Sequence, residues 1–144
     1  MIWFVDCQAE HLDEIQGVDM ETRRFLEKDE NARALLPSIA RTMVVDDEIA
    51  ACFGCQPIWF GVVHAWTALS PLALDHGLTL TRAIRRYLSE IEERDSLHRI
   101  QASVLDGFSM GHRWARVLGF HPECKMARYS PKGEDAWLYA RVRN

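Results

Sequence analysis

His112–Phe120, HRWARVLGF, has the pattern of a helix that stops abruptly, at a glycine followed by a large aromatic residue. Glycine readily adopts the left-handed backbone conformation that ends many helices, and an apolar residue after it often packs back against the last turn. The stretch therefore predicts a helix over Ser109–Leu118, a positive φ at Gly119, a buried Phe120 and a strand directly afterwards. Taken alone, this junction indicates structure and no function.

The rest of the chain alternates between β-rich and helical patterns. Runs rich in β-branched and aromatic residues predict strands, and the apolar stripe of LTLTRAIRRYLSEIEER predicts a long helix over Leu78–Arg94. Two earlier helices are also predicted, the first from the spacing of Leu12, Ile15, Val18 and Phe25 and the second up to Pro37. The predicted order is β-α-α-β-β-β-α-β-α-β-β. It favours an α/β fold, an α+β mixed sheet of six or seven strands with helices packed on its faces.

Composition limits the class of protein. The 144 residues predict a single domain over residues 1–144, and 48% hydrophobic with 26% charged residues are enough for a core. A net charge of −4 and a pI near 5.8 argue against a nucleic-acid partner. The sequence has neither an apolar run of membrane-spanning length nor the basic start of a signal peptide. We therefore expect a cytoplasmic protein with no membrane partner.

Four cysteines are present, Cys7, Cys52, Cys55 and Cys124. Without an export signal they are expected to be reduced thiols. Cys52 and Cys55 form a C-x-x-C pattern, but on the predicted strand residues three apart point to opposite faces. No second C-x-x-C or histidine pair completes a zinc site, so we predict structural cysteines and no metal.

The element order, together with ARVLGF before a terminal hairpin, resembles the GNAT acyltransferase superfamily. QAEHLDEI is similar to the first helix of the family, VVDDEIAACFG to its central hairpin, RWARVLGFHPE to its last helix, and RYSPKGEDAWLYARV to its C-terminal strands. The resemblance covers nearly the whole chain. The tryptophan-rich PIWFGVVHAWTALSP and the short length resemble, more narrowly, the small GNAT-related proteins of tailed bacteriophages.

The resemblance implies acetyl-CoA binding where two neighbouring parallel strands splay apart. In the family, a loop of the pattern Arg/Gln-x-x-Gly-x-Gly/Ala binds the pyrophosphate through backbone N–H groups and a helix N-terminus. The corresponding stretch is LDHGLT, residues 74–79. It keeps Gly77, whereas Leu74 replaces the Arg/Gln and Thr79 the last small residue.

The resemblance also suggests catalytic positions. A general base is expected on the strand before the loop, and His64 is the candidate because imidazole titrates near neutral pH; the alternative is a histidine packed in the core. Backbone N–H groups at Leu69 and Ser70 would polarise the thioester carbonyl. The tyrosine acid of the family corresponds to Ala115 and its asparagine to Phe108, and neither replacement provides the same chemistry.

Three arginines, Arg82, Arg85 and Arg86, lie in the first half of the Leu78–Arg94 helix, with Glu90, Glu92 and Glu93 behind them. This order opposes the helix dipole. One explanation is a bound anion such as a CoA phosphate, held by Arg82 or Arg86. The other is a solvent-exposed face with Arg86–Glu90 pairs.

Other polar residues have two interpretations each. His76 beside Gly77 would meet a phosphate or be an exposed loop residue. Asp106 and His112 flank the start of the last helix, where Asp106 or Ser109 would be an N-cap or a substrate contact. The five tryptophans would lie in the core or on an interaction surface.

Two functions follow from these patterns. The first is a GNAT-like N-acetyltransferase that transfers an acyl group from acetyl-CoA to a small-molecule or peptide amine. The second is a catalytically inactive GNAT-fold phage protein, a structural, assembly or interaction module that contacts other phage structural proteins. The expected location is the cytoplasm, which for a phage protein means the host cytoplasm or the virion. The oligomeric state stays open.

Overall fold

The computed structural model describes residues 1–15 and 30–144. In chain order the elements are β1 Ile2–Asp6, α1 Ala9–Glu14, α2 Glu30–Ile39, β2 Ala40–Val45, β3 Glu48–Trp59, β4 Val62–Leu69, α3 Pro71–Leu74, α4 Gly77–Arg94, β5 Arg99–Leu105, α5 Ser109–Val117, β6 His121–Met126 and β7 Ala136–Val142. The predicted order is confirmed, with α3 added. Val18 and Phe25, used to predict the first helix, lie outside the described residues.

The described strands form one mixed sheet. Its seven strands have the order β1-β2-β3-β4-β5-β7-β6. β4 and β5 pair in parallel over Val62–His64 and Arg99–Gln101, after which β4 continues to Leu69. The pairs β1–β2, β2–β3, β5–β7 and β6–β7 are antiparallel. The mixed sheet predicted from the sequence is therefore confirmed.

The chain divides into two compact units. The first consists of Met1–Gln56 with Ala65–Arg82. Its core draws on α1, α2, β2, β3 and β4, and its buried members are Cys7, Leu12, Ile15, Leu36, Ala40, Cys52 and Ala68. Trp66 packs against this cluster. Burial of these apolar side chains is the main force that holds α1 and α2 to their strands.

The second unit consists of Pro57–His64 with Ala83–Asn144. On α4 it buries Ile84, Leu88 and Ile91, which recur at the helical spacing that the sequence predicted. Ile100 of β5 and Tyr139 of β7 are also buried. The apolar stripe of α4 is therefore a core stripe, which leaves the arginines of that helix on its exposed side.

The end of α5 agrees with the sequence prediction. Gly119 has a φ of 93°, and Phe120 is only 3% exposed. The N–H of Phe120 donates to Ala115 O and that of Gly119 to Arg116 O, both at 3.0 Å. These two bonds define a Schellman motif, which satisfies the last carbonyl groups of the helix. The helix itself ends at Val117, one residue before the predicted Leu118.

Two proline positions differ from the sequence prediction. Ser70-Pro71 was expected only to end a strand, but Pro71 begins the short helix α3. Proline suits the first helical position because its missing N–H has no partner there anyway. Pro37 was expected to end the second helix, whereas α2 continues to Ile39. Pro37 has no N–H to donate to the carbonyl four residues before it, and α2 extends only two residues beyond it.

Candidate functional site

Residues 74–79 form the turn that leads from α3 into α4. The first helical hydrogen bond of α4 runs from Leu80 N–H to His76 O, at 3.0 Å. The N–H groups of residues 77–79 therefore precede the helical bonding and point out of the helix end. A Cβ placed on Gly77 would meet no atom within 4 Å, so the space beside it is open. The start of an 18-residue helix with no acidic residue in its first turn suits an anion.

His64 is the third residue of β4 and pairs with Gln101 of β5. Its side chain is half-buried. Burial lowers the pKa of the imidazole, because the charged form loses its hydration. The ring is therefore neutral at pH 7 and has a nitrogen that can accept a proton, as a general base requires.

Ser70 follows β4 directly, and both of its donors bond to one carbonyl. Its backbone N–H lies 3.0 Å and its Oγ 2.7 Å from Ala50 O. The Ser70 N–H was predicted to meet a thioester carbonyl, but it is already bonded within the protein. The same role for the N–H of Leu69, the last residue of β4, stays a prediction.

Arg82 and Arg86 are exposed on α4. At the rise of an α-helix they lie about 7.5 Å and about 14 Å along the axis from Gly77. Helical side chains lean toward the N-terminus, which favours Arg82 as the arginine that reaches the start of the helix. Between Arg86 and Glu90, both described, no ion pair forms, so the expected surface pair is not seen.

At the two positions where the resemblance expects a tyrosine and an asparagine, the chain has Ala115 and Phe108. Ala115, at the tyrosine position, is 6% exposed and accepts the hydrogen bond from Phe120. Phe108, at the asparagine position, is the N-cap of α5, and its side chain makes no capping bond. The expected cap by Asp106 or Ser109 is therefore wrong. Neither Ala115 nor Phe108 has a side chain that can donate a proton.

His112 is tied into the protein by both ring nitrogens. Nε2 lies 3.0 Å from the carbonyl oxygens of Leu105 and Asp106, so it carries the proton. Nδ1 lies 2.7 Å from the hydroxyl of Tyr139, which donates to it. The Asp106 carboxylate accepts from Trp137 Nε1 at 2.8 Å. These bonds give His112 and Asp106 structural roles.

His76 lies in the loop before Gly77, as expected. The hydrogen bond from the N-terminal amine of Met1 is the main cause that lowers the pKa of Asp46, and His76 contributes least.

Cys52 lies beside a threonine of the neighbouring strand. Thr42 Oγ1 lies 3.4 Å from Cys52 Sγ and 2.8 Å from His11 Nδ1. A hydrogen bond with Cys7, together with burial, raises the pKa of the Cys52 thiol. A protonated thiol is a poor nucleophile, so Cys52 has a structural role. All four cysteines are free thiols, and Cys55 is also buried.

A metal centre and a membrane-spanning helix are both absent from the described residues, 1–15 and 30–144. That part of the chain contains no group of three or more His, Cys, Asp or Glu side chains placed to hold a metal. None of its helices combines the length and the apolar composition needed to cross a membrane.

No protein-family model matches the sequence, and no curated protein matches it. Solved structures match over nearly the whole chain. Ard1 from Thermoplasma volcanium has 11% identity and a TM-score of 0.76, with 99% of this chain and 98% of that chain covered. A GNAT-family acetyltransferase from Streptococcus pneumoniae has 14% identity and a TM-score of 0.74, with 99% and 100% covered.

A third similar structure contains a ligand. RimL, a ribosomal L7/L12 α-N-protein acetyltransferase in complex with coenzyme A, has 14% identity and a TM-score of 0.72, with 98% of this chain and 93% of that chain covered. Identities this low establish the fold alone. The chain has the mixed α/β fold of the GNAT acyl-CoA N-acetyltransferases, which confirms the fold that the sequence resemblance implied.

Proposed function

We propose that this protein is an N-acetyltransferase that binds acetyl-CoA and acylates a small-molecule or peptide amine, with residues 1–144 acting as one domain. The observation that carries the proposal is the start of α4. There the N–H groups of residues 77–79 face open space at the end of a long helix, in a fold whose solved examples include a CoA complex.

The residues at this helix start fit the cofactor in part. The N–H groups of residues 77–79 and the helix dipole would hold the pyrophosphate, and Arg82 would add a charged contact, with Arg86 further along the helix. Leu74 and Leu78 are 61% and 65% exposed, so they present apolar surface beside the loop. Because Leu74 stands where the family has a polar side chain, we expect weaker binding than in relatives with the full loop.

Acyl transfer from a thioester to an amine requires the protein mainly to position the two reacting groups. When bound, acetyl-CoA supplies the acyl group as a reactive thioester. His64, kept neutral by burial, takes a proton from the acceptor amine. The N–H of Leu69 donates to the carbonyl oxygen where negative charge develops. Ala115 has no proton to give to the leaving sulfur, and loss of a general acid costs on the order of a hundredfold in rate. We therefore expect slow turnover.

Binding is tested by thermal unfolding with and without acetyl-CoA. A ligand at a hundred times its dissociation constant stabilises the native state by about 2.7 kcal/mol, which raises the melting temperature clearly. We expect Arg82→Ala to reduce the shift. Arg113→Ala, which removes an exposed arginine from α5, is the matched control and keeps the full shift. No shift with the wild-type protein at millimolar acetyl-CoA contradicts the proposal.

Turnover is tested by measuring thiol release with a panel of amines. We expect His64→Gln to lose turnover while it keeps the acetyl-CoA thermal shift, which shows that the fold and the cofactor site are intact. Since burial lowers the pKa of His64, wild-type activity should persist below the pH at which an ordinary histidine becomes charged. Equal turnover in wild type and His64→Gln would remove His64 from the mechanism.

A second candidate is an interaction module without catalysis. It is favoured by the aromatic tip of the β3–β4 turn, where Trp59 is 73% and Phe60 90% exposed. Exposed aromatic residues are typical of protein interfaces. If acetyl-CoA does not bind, this becomes the better proposal, and the resemblance to phage proteins makes other virion proteins the first partners to test.

A further inference from the structure

The second compact unit contains a pocket of about 320 Å³ that the proposed acyl transfer does not use. It lies among α4, the end of α5, the start of β6 and the end of β7. Its polar lining consists of Arg85, Ser89, Glu92, His121, Arg141 and Arg143. The volume is at the lower end of the range for pockets that bind small molecules.

Part of this lining is already paired and fixes the shape of the pocket. Arg141 Nε lies 2.8 Å from Glu92 Oε1, and the two side chains are only 17% and 12% exposed. Arg141 Nη1 also donates to Leu118 O at 2.8 Å. The guanidinium of Arg141 is already bonded to a carboxylate and a carbonyl. The charges of Arg141 and Glu92 therefore cancel and leave no net charge for a ligand.

The positive charge of the pocket comes from two other guanidinium groups, those of Arg85 and Arg143. Arg85 is exposed, and within the described part of the chain it has no ion-pair partner. Arg143 Nη2 lies 3.6 Å from Glu93 Oε1, but the pair is 44% and 80% exposed, so solvent weakens it. Ser89 lies four residues after Arg85 on the same face of α4 and adds a hydroxyl. The pocket is thus cationic in a protein whose net charge is −4.

We propose that this pocket is a second ligand site that binds a small dianion, a phosphate or dicarboxylate group of a small molecule. Guanidinium groups bind such oxygens through paired, charge-assisted hydrogen bonds. Arg85 has no ion-pair partner in the described part of the chain and Arg143 has only a solvent-exposed one, so both guanidinium groups can attract a dianion. A bound anion also accounts for Arg85 in the first half of α4, where the helix dipole disfavours a cation.

Titration with inorganic phosphate and with succinate tests the site, by calorimetry and by thermal unfolding at constant ionic strength set with chloride. We expect saturable binding of at least one dianion, weakened about tenfold or more in Arg85→Ala and in Arg143→Ala, the loss typical of one charged hydrogen bond. Both residues are exposed, so both variants should fold. Arg113→Ala is the control that removes an equal charge outside the pocket and should bind normally.

The probe that binds more tightly identifies the chemistry: preference for phosphate indicates a phosphorylated ligand, and preference for succinate a dicarboxylate. Backbone amide signals of Gly119 and Arg143 should shift on binding in NMR spectra. Saturating acetyl-CoA should leave the affinity unchanged. The inference is overturned if neither dianion binds, if all variants respond equally, as in a general salt effect, or if acetyl-CoA competes, since the anion then belongs to the α4 helix start.

Discussion

Gly119 shows how one backbone conformation fixes the join between α5 and β6. Its φ of 93° is strained for any residue with a Cβ, although a Cβ there would meet Arg141 only at 3.5 Å, an ordinary contact. We therefore expect Gly119→Ala to lower the free energy of unfolding by about 1–2 kcal/mol through conformation alone. Urea unfolding measures the change. Gly77→Ala is the matched control and should not destabilise, because a Cβ there meets open space; equal losses in both variants would contradict the argument.

Arg141 and Arg143 are two residues apart but differ in what surrounds them. Removing Arg141 leaves the Glu92 carboxylate, only 12% exposed, without its cation, and frees the carbonyl of Leu118. We expect Arg141→Ala to lose about 2–3 kcal/mol of unfolding free energy. Arg143→Ala breaks only an exposed pair and should change stability by about 0.5 kcal/mol or less. Chemical denaturation of both variants checks the contrast, and similar losses would show that burial does not distinguish the two pairs.

At the scale of elements, an ion pair joins the two strands that flank β7. Arg99 of β5 donates to both carboxylate oxygens of Glu123 on β6, at 2.6 and 3.0 Å. The hydrogen bond from Arg99 lowers the pKa of Glu123. A carboxyl whose folded-state pKa is lowered stabilises the protein above its unfolded-state pKa, and loses this contribution as the pH falls through the folded-state value.

We therefore expect part of the acid-induced loss of stability, at a pH below the ordinary glutamate pKa, to come from this pair. Glu123→Gln should be slightly less stable than wild type at pH 7 and should converge with it as the pH falls. The effect is small because the pair is partly exposed, at 23% and 40%. Unfolding curves from pH 7 to acid measure it, with Glu90→Gln as an exposed control; a difference that stays constant with pH would rule out the linkage.

The elements were predictable where the signal is local. Two patterns, each contained in one or two helical turns, predicted their structures correctly. They are the apolar stripe of Ile84, Leu88 and Ile91 and the glycine at position 119. The helix α3 was missed because Ser-Pro marks the end of a strand as well as the start of a helix. The hydrogen bonds of Ser70 to Ala50 could not be predicted either, because they depend on how two strands of the sheet pair.

At the scale of the whole molecule, the sequence indicated the fold but could not show which side chains meet. Cys52 contacts Thr42 on the neighbouring strand, and Arg141 of β7 contacts Glu92 of α4, which is far from it in the sequence. Such pairs are set by the register of strands and the packing of helices, which local patterns do not contain. The cationic pocket was missed for this reason, and the only sequence signal for it was the unusual position of Arg85.

The two compact units are expected to unfold together. The sequence predicts one domain, and the described chain divides into two compact units. The boundaries between the units fall inside β3, β4 and α4, which run unbroken from one unit into the other. Domain boundaries usually lie in flexible linkers, so this placement favours a single cooperative unfolding transition.

Tryptophans in both units allow this to be measured directly. Trp3 and Trp66 belong to the first unit, and Trp59, Trp114 and Trp137 to the second. In protein labelled with 5-fluorotryptophan, fluorine NMR follows each site separately during urea unfolding. We expect all five signals to change with one common midpoint and slope, because unfolding of either unit must break an element that continues into the other. Two midpoints that sort the tryptophans by unit would instead show two independently folding domains.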